Sequence, residues 1–264
     1  MTGIFDPNTY IKTVTIVGVG GTGTSTARIV ARIIYDMQRA RKHAPQIVLI
    51  DPDRVEEKNI GRQALFAPSD IGKFKAEVVG RRLNFALGLD IAWIPEPVDA
   101  IRHFDRYGGN LVISCVDNHE ARQEIHCING ILIGSGNHAD SGQVCIGNCD
   151  DPDLMRRCMD GRDGRYLYLP KEGLLFPKLL QPETPDERPM PETTASCAEL
   201  VAEGSQHLLV NDMMATVVGQ YVYRLLHRQP IRTFLTYIRI GDFPSVRSLP
   251  VCREELESYL RVAE

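Results

Sequence analysis

Apolar positions along the chain follow first a strand's spacing, then a helix's, then a strand's again. Thr13 to Gly18 is β-branched and apolar, Ala27, Val30, Ile34 and Met37 recur at helical spacing, and Gln46 to Asp51 resumes a strand. That order predicts a βαβ unit, hence parallel strands joined by a right-handed crossover. Gly72 to Leu87 predicts a second helix with a mixed face and Asn118 to Ile128 a third. Ile91 to Pro95 and Asn110 to Cys115 predict two more strands. The alternation implies an α/β fold, a doubly wound, mainly parallel Rossmann-like sheet with ligands at the carboxyl ends of its strands. Gly18, Asp51 and Asp117 all fall at such ends.

The second half is less regular. After the glycine- and polar-rich Gly134 to Gln143 comes a short strand, Val144 to Gly147, and then the pattern dissolves. Residues 150–196 are charged and rich in proline, most of all from Gln181 to Thr194, which predicts a mobile crossover loop. A long C-terminal helix is expected between Leu208 and His227. Thr233 to Ile240 and Val246 to Val251 are expected to pair as a β-hairpin around Gly241 and Asp242. With no internal repeat, residues 1–264 read as a single domain.

Composition narrows the function classes. The net charge of −4 comes from acids and bases that are intermingled, which leaves no basic footprint for nucleic acid. No opening stretch resembles a signal peptide and no run approaches the roughly 20 apolar residues of a membrane helix. A soluble, cytoplasmic protein with no membrane partner is expected. Seven cysteines is an odd number without an export signal, so thiols are expected in place of a disulfide framework.

Two stretches carry the chemistry. In GVGGTG, Gly18, Gly20 and Gly23 serve a tight turn, close approach of backbone to phosphate and close helix packing, with helix amides facing an anion. Alone, such a turn also suits a nicotinamide or flavin site, or a domain that binds nothing. Asp51 lies somewhat further beyond Gly23 than the roughly 20 residues usual for a ribose-binding acid, an excess explained by the long intervening helix. Arg62 and Lys75 separate the alternatives. A guanidinium fork and an ammonium beside phosphates neutralise charge as pyrophosphate leaves, which a dehydrogenase does not need; the plainer reading makes both solvated surface charges. Asp117 suits either a magnesium ion bridging the phosphates or the N-cap of the helix that starts at Asn118.

The succession GVGGTG, DPDRVEEKNIGRQ, DIGKFKAE and SCVDN resembles that of the ThiF/MoeB and ubiquitin-activating-enzyme (E1-like) superfamily over roughly Val14 to Gly147. Within it, NIGRQ, GLDIAW, GSGNHADSGQV and the downstream SCAE most resemble the ThiF-like family of bacterial PRTRC gene clusters. The resemblance implies ATP-dependent adenylation of the C-terminal glycine carboxylate of a ubiquitin-like or sulfur-carrier protein. It implies a nucleotide site of Gly18, Gly20, Gly21, Gly23, Asp51, Asp53, Asn59, Arg62, Gln63, Lys75 and Asp117. Asp51 would hold the ribose, Asn59 and Arg62 the phosphates, Lys75 the leaving pyrophosphate and Asp117 Mg2+. Gln63 is of second rank.

Some relatives move the acyl group to a cysteine, for which Cys197 is the candidate because it follows the crossover loop and precedes the long helix. An ordinary unreactive thiol is the alternative, since no positively charged neighbour in the sequence would activate it. The family's habit also implies a homodimer, and in many members an N-terminal arginine reaches across it. Residues 1–14 contain no arginine, which leaves Lys12 or a residue elsewhere for that part. Two Cys-x-x-Cys pairs, the zinc signature of some relatives, are absent. A nucleotide-binding scaffold of the same fold and a NAD-dependent oxidoreductase are the other readings. The first keeps the fold without turnover, and the second leaves Arg62 and Lys75 idle.

Overall fold

The computed structural model describes residues 2–63, 65–138, 140–159, 162–182 and 209–260. In chain order the strands are β1 (Ile4–Phe5), β2 (Thr13–Val17), β3 (Gln46–Ile50), β4 (Ala92–Ile94), β5 (Asn110–Ser114), β6 (Gly130–Asn137), β7 (Ser141–Gly147), β8 (Arg165–Tyr166), β9 (Thr233–Arg239) and β10 (Ser245–Pro250). The helices are α1 (Gly21–Arg39), α2 (Lys75–Leu87), α3 (His119–His126), α4 (Pro152–Cys158), α5 (Glu172–Leu175), α6 (Val210–Leu226) and α7 (Arg253–Leu260).

Eight strands form one sheet in the order β10-β9-β7-β6-β5-β2-β3-β4. From β4 to β6 neighbours run parallel, whereas β7, β9 and β10 join as antiparallel partners. The chain runs outward from β2 through β3 to β4, then restarts on the other side with β5 and β6. The switch point between β2 and β5 is where such sheets bind ligands. Every residue of β5 is buried, and the apolar side chains of the central strands alternate between two clusters. Ile16, Leu111, Ile113 and Ile131 face the larger core together with Val30 and Val218 of α1 and α6. Val17, Val112 and Leu132 meet Ile125 of α3 on the other face. Strands covered on both faces read as continuous apolar runs.

The structure differs from expectation in three places. The polar stretch after Gly134 is the end of β6, the turn and the start of β7, and β6 itself carries no pattern that the sequence reading detects. Its small residues admit other groups: a Cβ on Gly134 would meet the Glu172 carboxyl carbon at 2.6 Å, and one on Gly142 of β7 would collide with Met214. The early part of 150–196 carries α4, β8 and α5, held by buried charges. Lys171 Nζ donates to the carbonyls of His126 at 2.8 Å and Ile128 at 3.0 Å, so a cation sits at the carbonyl end of α3. Finally, α2 starts at Lys75 instead of Gly72, and β1, β8 and α7 were not anticipated. The expected C-terminal helix and hairpin correspond to α6 and β9–β10. Residues 183–196 of the expected loop lie outside the described residues.

Candidate functional site

Gly18, directly after β2, turns the chain with φ 85°, a region that favours glycine. A Cβ there would stand 2.6 Å from the Cys115 carbonyl oxygen, so the loops after β2 and β5 touch. Gly23 allows the first turn of α1 to press against Gly18. Among the described residues, no heavy atom lies within 4 Å of where a Cβ on Gly20 would stand. Helix α1, 19 residues long, begins with no side-chain cap and no acid in its first turn. Its amide end therefore carries no acid of its own and, among the described residues, is open on the Gly20 side, which suits a phosphate.

Asp51 follows β3 and is 5% exposed. Its Oδ2 accepts the Val19 N–H at 2.5 Å and its Oδ1 the Asp53 N–H at 2.8 Å, which ties β3 to the glycine-rich turn. Burial pushes its carboxyl above the usual range, against the opposing pull of those two N–H groups and of the Lys75 charge. Lys75 opens α2 with a side chain only 9% exposed, and its Nζ donates to Asp53 Oδ2 at 2.9 Å; the Asp53 side chain is 64% exposed. Glycine-rich turn, Asp51, Asp53 and Lys75 thus form one connected cluster.

Upstream of α2, a short 3-10 turn, Glu57–Asn59, presents the rest of the sequence-derived set. Asn59 is buried, and its Oδ1 accepts the Glu56 N–H at 2.8 Å while its carbonyl accepts from Arg62 and Gln63. Arg62 is half-buried. Gln63 Oε1 is buried with no hydrogen-bond partner among the described residues, an acceptor in want of a donor. Asp70, which the sequence reading passed over, holds the approach to Lys75. Its carboxylate accepts the Ala67 N–H and pairs with Lys73 at 3.3 Å and Arg82 at 2.6 Å. Desolvation alone would raise the Asp70 carboxyl, but the Ala67 N–H and the two cations hold it below the usual range.

Asp117 lies exposed after β5. It is not the cap of α3: Asn118 takes that part, with Oδ1 accepting the Ala121 N–H at 2.8 Å. An exposed carboxylate on the loop that touches the glycine-rich turn suits a hard cation, which takes one or two carboxylates and completes its shell with water or other oxygens. Among the described residues there is no group of three or more His, Cys, Asp or Glu that could hold a metal by itself. Beneath Asp117, Arg122 of α3 pairs with Glu172 at 2.7 Å, the two side chains 7% and 5% exposed, and donates to the Val116 carbonyl at 2.6 Å. Its place four residues after the cap is the signal by which it could have been found.

Cys197 lies outside the described residues. Cys115, by contrast, stands at the site's floor, and burial pushes its thiol up to about 11, so it is protonated and unreactive at neutral pH. Lys12 pairs with Asp105 at 3.2 Å on the surface. No helix among the described residues is long and apolar enough to cross a membrane.

The chain belongs to the ThiF family, whose profile matches residues 11–237. It is 32% identical over 153 residues to ubiquitin-like modifier-activating enzyme 5 of Drosophila erecta, which covers 50% of this chain and 36% of the relative. With the Aedes aegypti protein of the same name the figures are 30% over 154 residues, 50% and 36%. The chain thus spans about a third of the length of these relatives. Among solved structures it resembles PaaA, with a TM-score of 0.57 at 19% identity over 91% of this chain and 64% of that one. E. coli MccB solved with ATP gives a TM-score of 0.53 at 18% identity, covering 94% of this chain and 66% of that one. At these identities the structures speak for the fold, which is the mainly parallel α/β sheet described above.

Proposed function

We propose that this protein is an E1-like adenylating enzyme that uses ATP to activate the C-terminal glycine carboxylate of a ubiquitin-like or sulfur-carrier protein. The observation that carries the reading is the cluster at the switch point. A buried carboxylate, Asp51, is clamped to the glycine-rich turn, and an almost buried ammonium, Lys75, is parked on an exposed acid beside it. The uncapped end of α1 receives the phosphates. Asp51 accepts the ribose hydroxyls on its remaining lone pairs, and Asn59, Arg62 and Gln63 meet the phosphates from the 3-10 turn. A magnesium ion held by Asp117 would supply charge neutralisation between the phosphates. A carboxylate oxygen of the carrier attacks the α-phosphorus, the bond to the bridging oxygen of pyrophosphate breaks, and Lys75, released from Asp53, stabilises the charge that leaves. The protein's part is positioning and electrostatics.

In a second step the Cys197 sulfur would attack the acyl carbon, forming a thioester and expelling AMP. The relatives named as ubiquitin-like modifier-activating enzymes, and the E. coli MccB solved with AMPCPP and MccA, support a nucleotide and a protein or peptide partner. A homodimer and a carrier encoded in a PRTRC-type gene cluster extend the same reading. The test is ATP–pyrophosphate exchange with small glycine-terminated proteins encoded beside the gene. Exchange that depends on the carrier's last residue supports the reading; ATP binding without exchange for any carrier would return the protein to a scaffold role.

A further inference from the structure

Helix α6 begins beside the mouth of this site. Thr22 Oγ1 donates to Asn211 Oδ1 at 2.8 Å, and Asn137 Nδ2 donates to the same oxygen at 2.6 Å. One turn further along α1, Ser25 Oγ donates to Asp212 Oδ1 at 2.7 Å. The first turn of α1, the end of β6 and the first turn of α6 therefore meet on one amide, supplied from 189 residues beyond Thr22. The nitrogen of that amide stands 2.5 Å from where a Cβ on Gly21 would be. Gly21 is glycine to admit Asn211, whereas Gly20 is, among the described residues, the face left open.

An acid beside a helix's amide end is the choice that favours the free protein. Here the chain instead places a neutral amide against the first residue of α1, while the next residue, Asp212, is the acid and is turned to Ser25. We infer that Asn211 is a positioning residue for the phosphate end of the nucleotide. It locks the first turn of α1 to β6 and α6, and sets an uncharged group against Gly21 at the helix end that takes phosphate. The inference rests on the ATP reading above.

The variant Asn211→Asp separates this role from packing, because a carboxylate retains the acceptor for Thr22 and Asn137 and adds a charge at the helix end. The full chain is titrated with ATP and magnesium and, separately, with adenosine, and its melting temperature is measured. The expected result is ATP affinity lowered by about tenfold, adenosine affinity unchanged and a melting temperature equal to or above wild type. Asn211→Ala is expected to weaken ATP less and to lower the melting temperature. Wild-type ATP affinity in Asn211→Asp overturns the inference, and so does an equal loss of adenosine and ATP, which marks a packing role. Wild-type protein that binds neither ligand removes the nucleotide reading itself, and the inference with it.

Discussion

Asp53 grips Lys75 at both ends: its carbonyl accepts the Lys75 N–H and its carboxylate the Lys75 Nζ, each at 2.9 Å. The ammonium is thereby stored in a low-dielectric position on an exposed partner that a more highly charged anion could outbid. Lys75→Ala is expected to lower the adenylation rate by about 100- to 1,000-fold, the loss typical of one preorganised charge-stabilising donor. Lys75→Arg should not restore it, since the planar fork does not fit a point-charge position. Single-turnover kinetics decide; a Lys75→Ala rate within a few-fold of wild type would remove Lys75 from the mechanism.

Asp117→Ala is expected to abolish adenylation through loss of the cation's protein ligand, whereas Cys197→Ala should leave exchange intact and remove only the thioester. Non-reducing gels with and without thiol read the second, and pyrophosphate exchange the first. Equal loss of exchange in folded Cys197→Ala sinks the two-step scheme.

The Asp70 carboxyl is held low in the fold, so its contribution to stability is present above the ordinary carboxylate pKa and is lost as pH falls through the depressed folded value. Asp70→Asn should therefore lower the melting temperature by a few degrees at pH 7 and approach wild type in acid. A gap between the two proteins that stays constant from pH 7 to pH 3 would contradict that linkage.

Breaking the buried Arg122–Glu172 pair leaves an uncompensated charge, at a cost of about 3–5 kcal/mol for Arg122→Ala. Replacing both, as Arg122→Met with Glu172→Leu, should recover most of the loss, because apolar groups of similar volume need no partner. Urea unfolding of the three variants measures the difference. A double variant as unstable as the single one would show that the pair contributes more than mutual neutralisation.

The legible parts of this fold are those whose causes lie close together in sequence. β2, β3 and β5 are buried on both faces, so they read as apolar runs, and Asp51, Asp53, Asn59 and Lys75 lie within one strand-turn-helix passage. β6 was hidden because Gly134 exists to admit Glu172, a reason visible only in three dimensions. Lys171 and Glu172 fall in the charged stretch expected to be a mobile loop, yet they are buried anchors that order the passage leading to them. Asn211 gave no local signal, since its partners Thr22 and Asn137 come from distant turns.

Arg122 reaches three carbonyl or carboxylate partners at once: Glu172, Val116 and Ser135. Helix α3, the loop that carries Asp117 and the segment around α5 cannot separate without stranding a guanidinium in the dark of the core. They should open together, as one unit in hydrogen exchange, with amides of α3 and α5 sharing a common protection free energy. The early part of the stretch expected to be a mobile crossover loop is then the keel on which the loop carrying Asp117 rides.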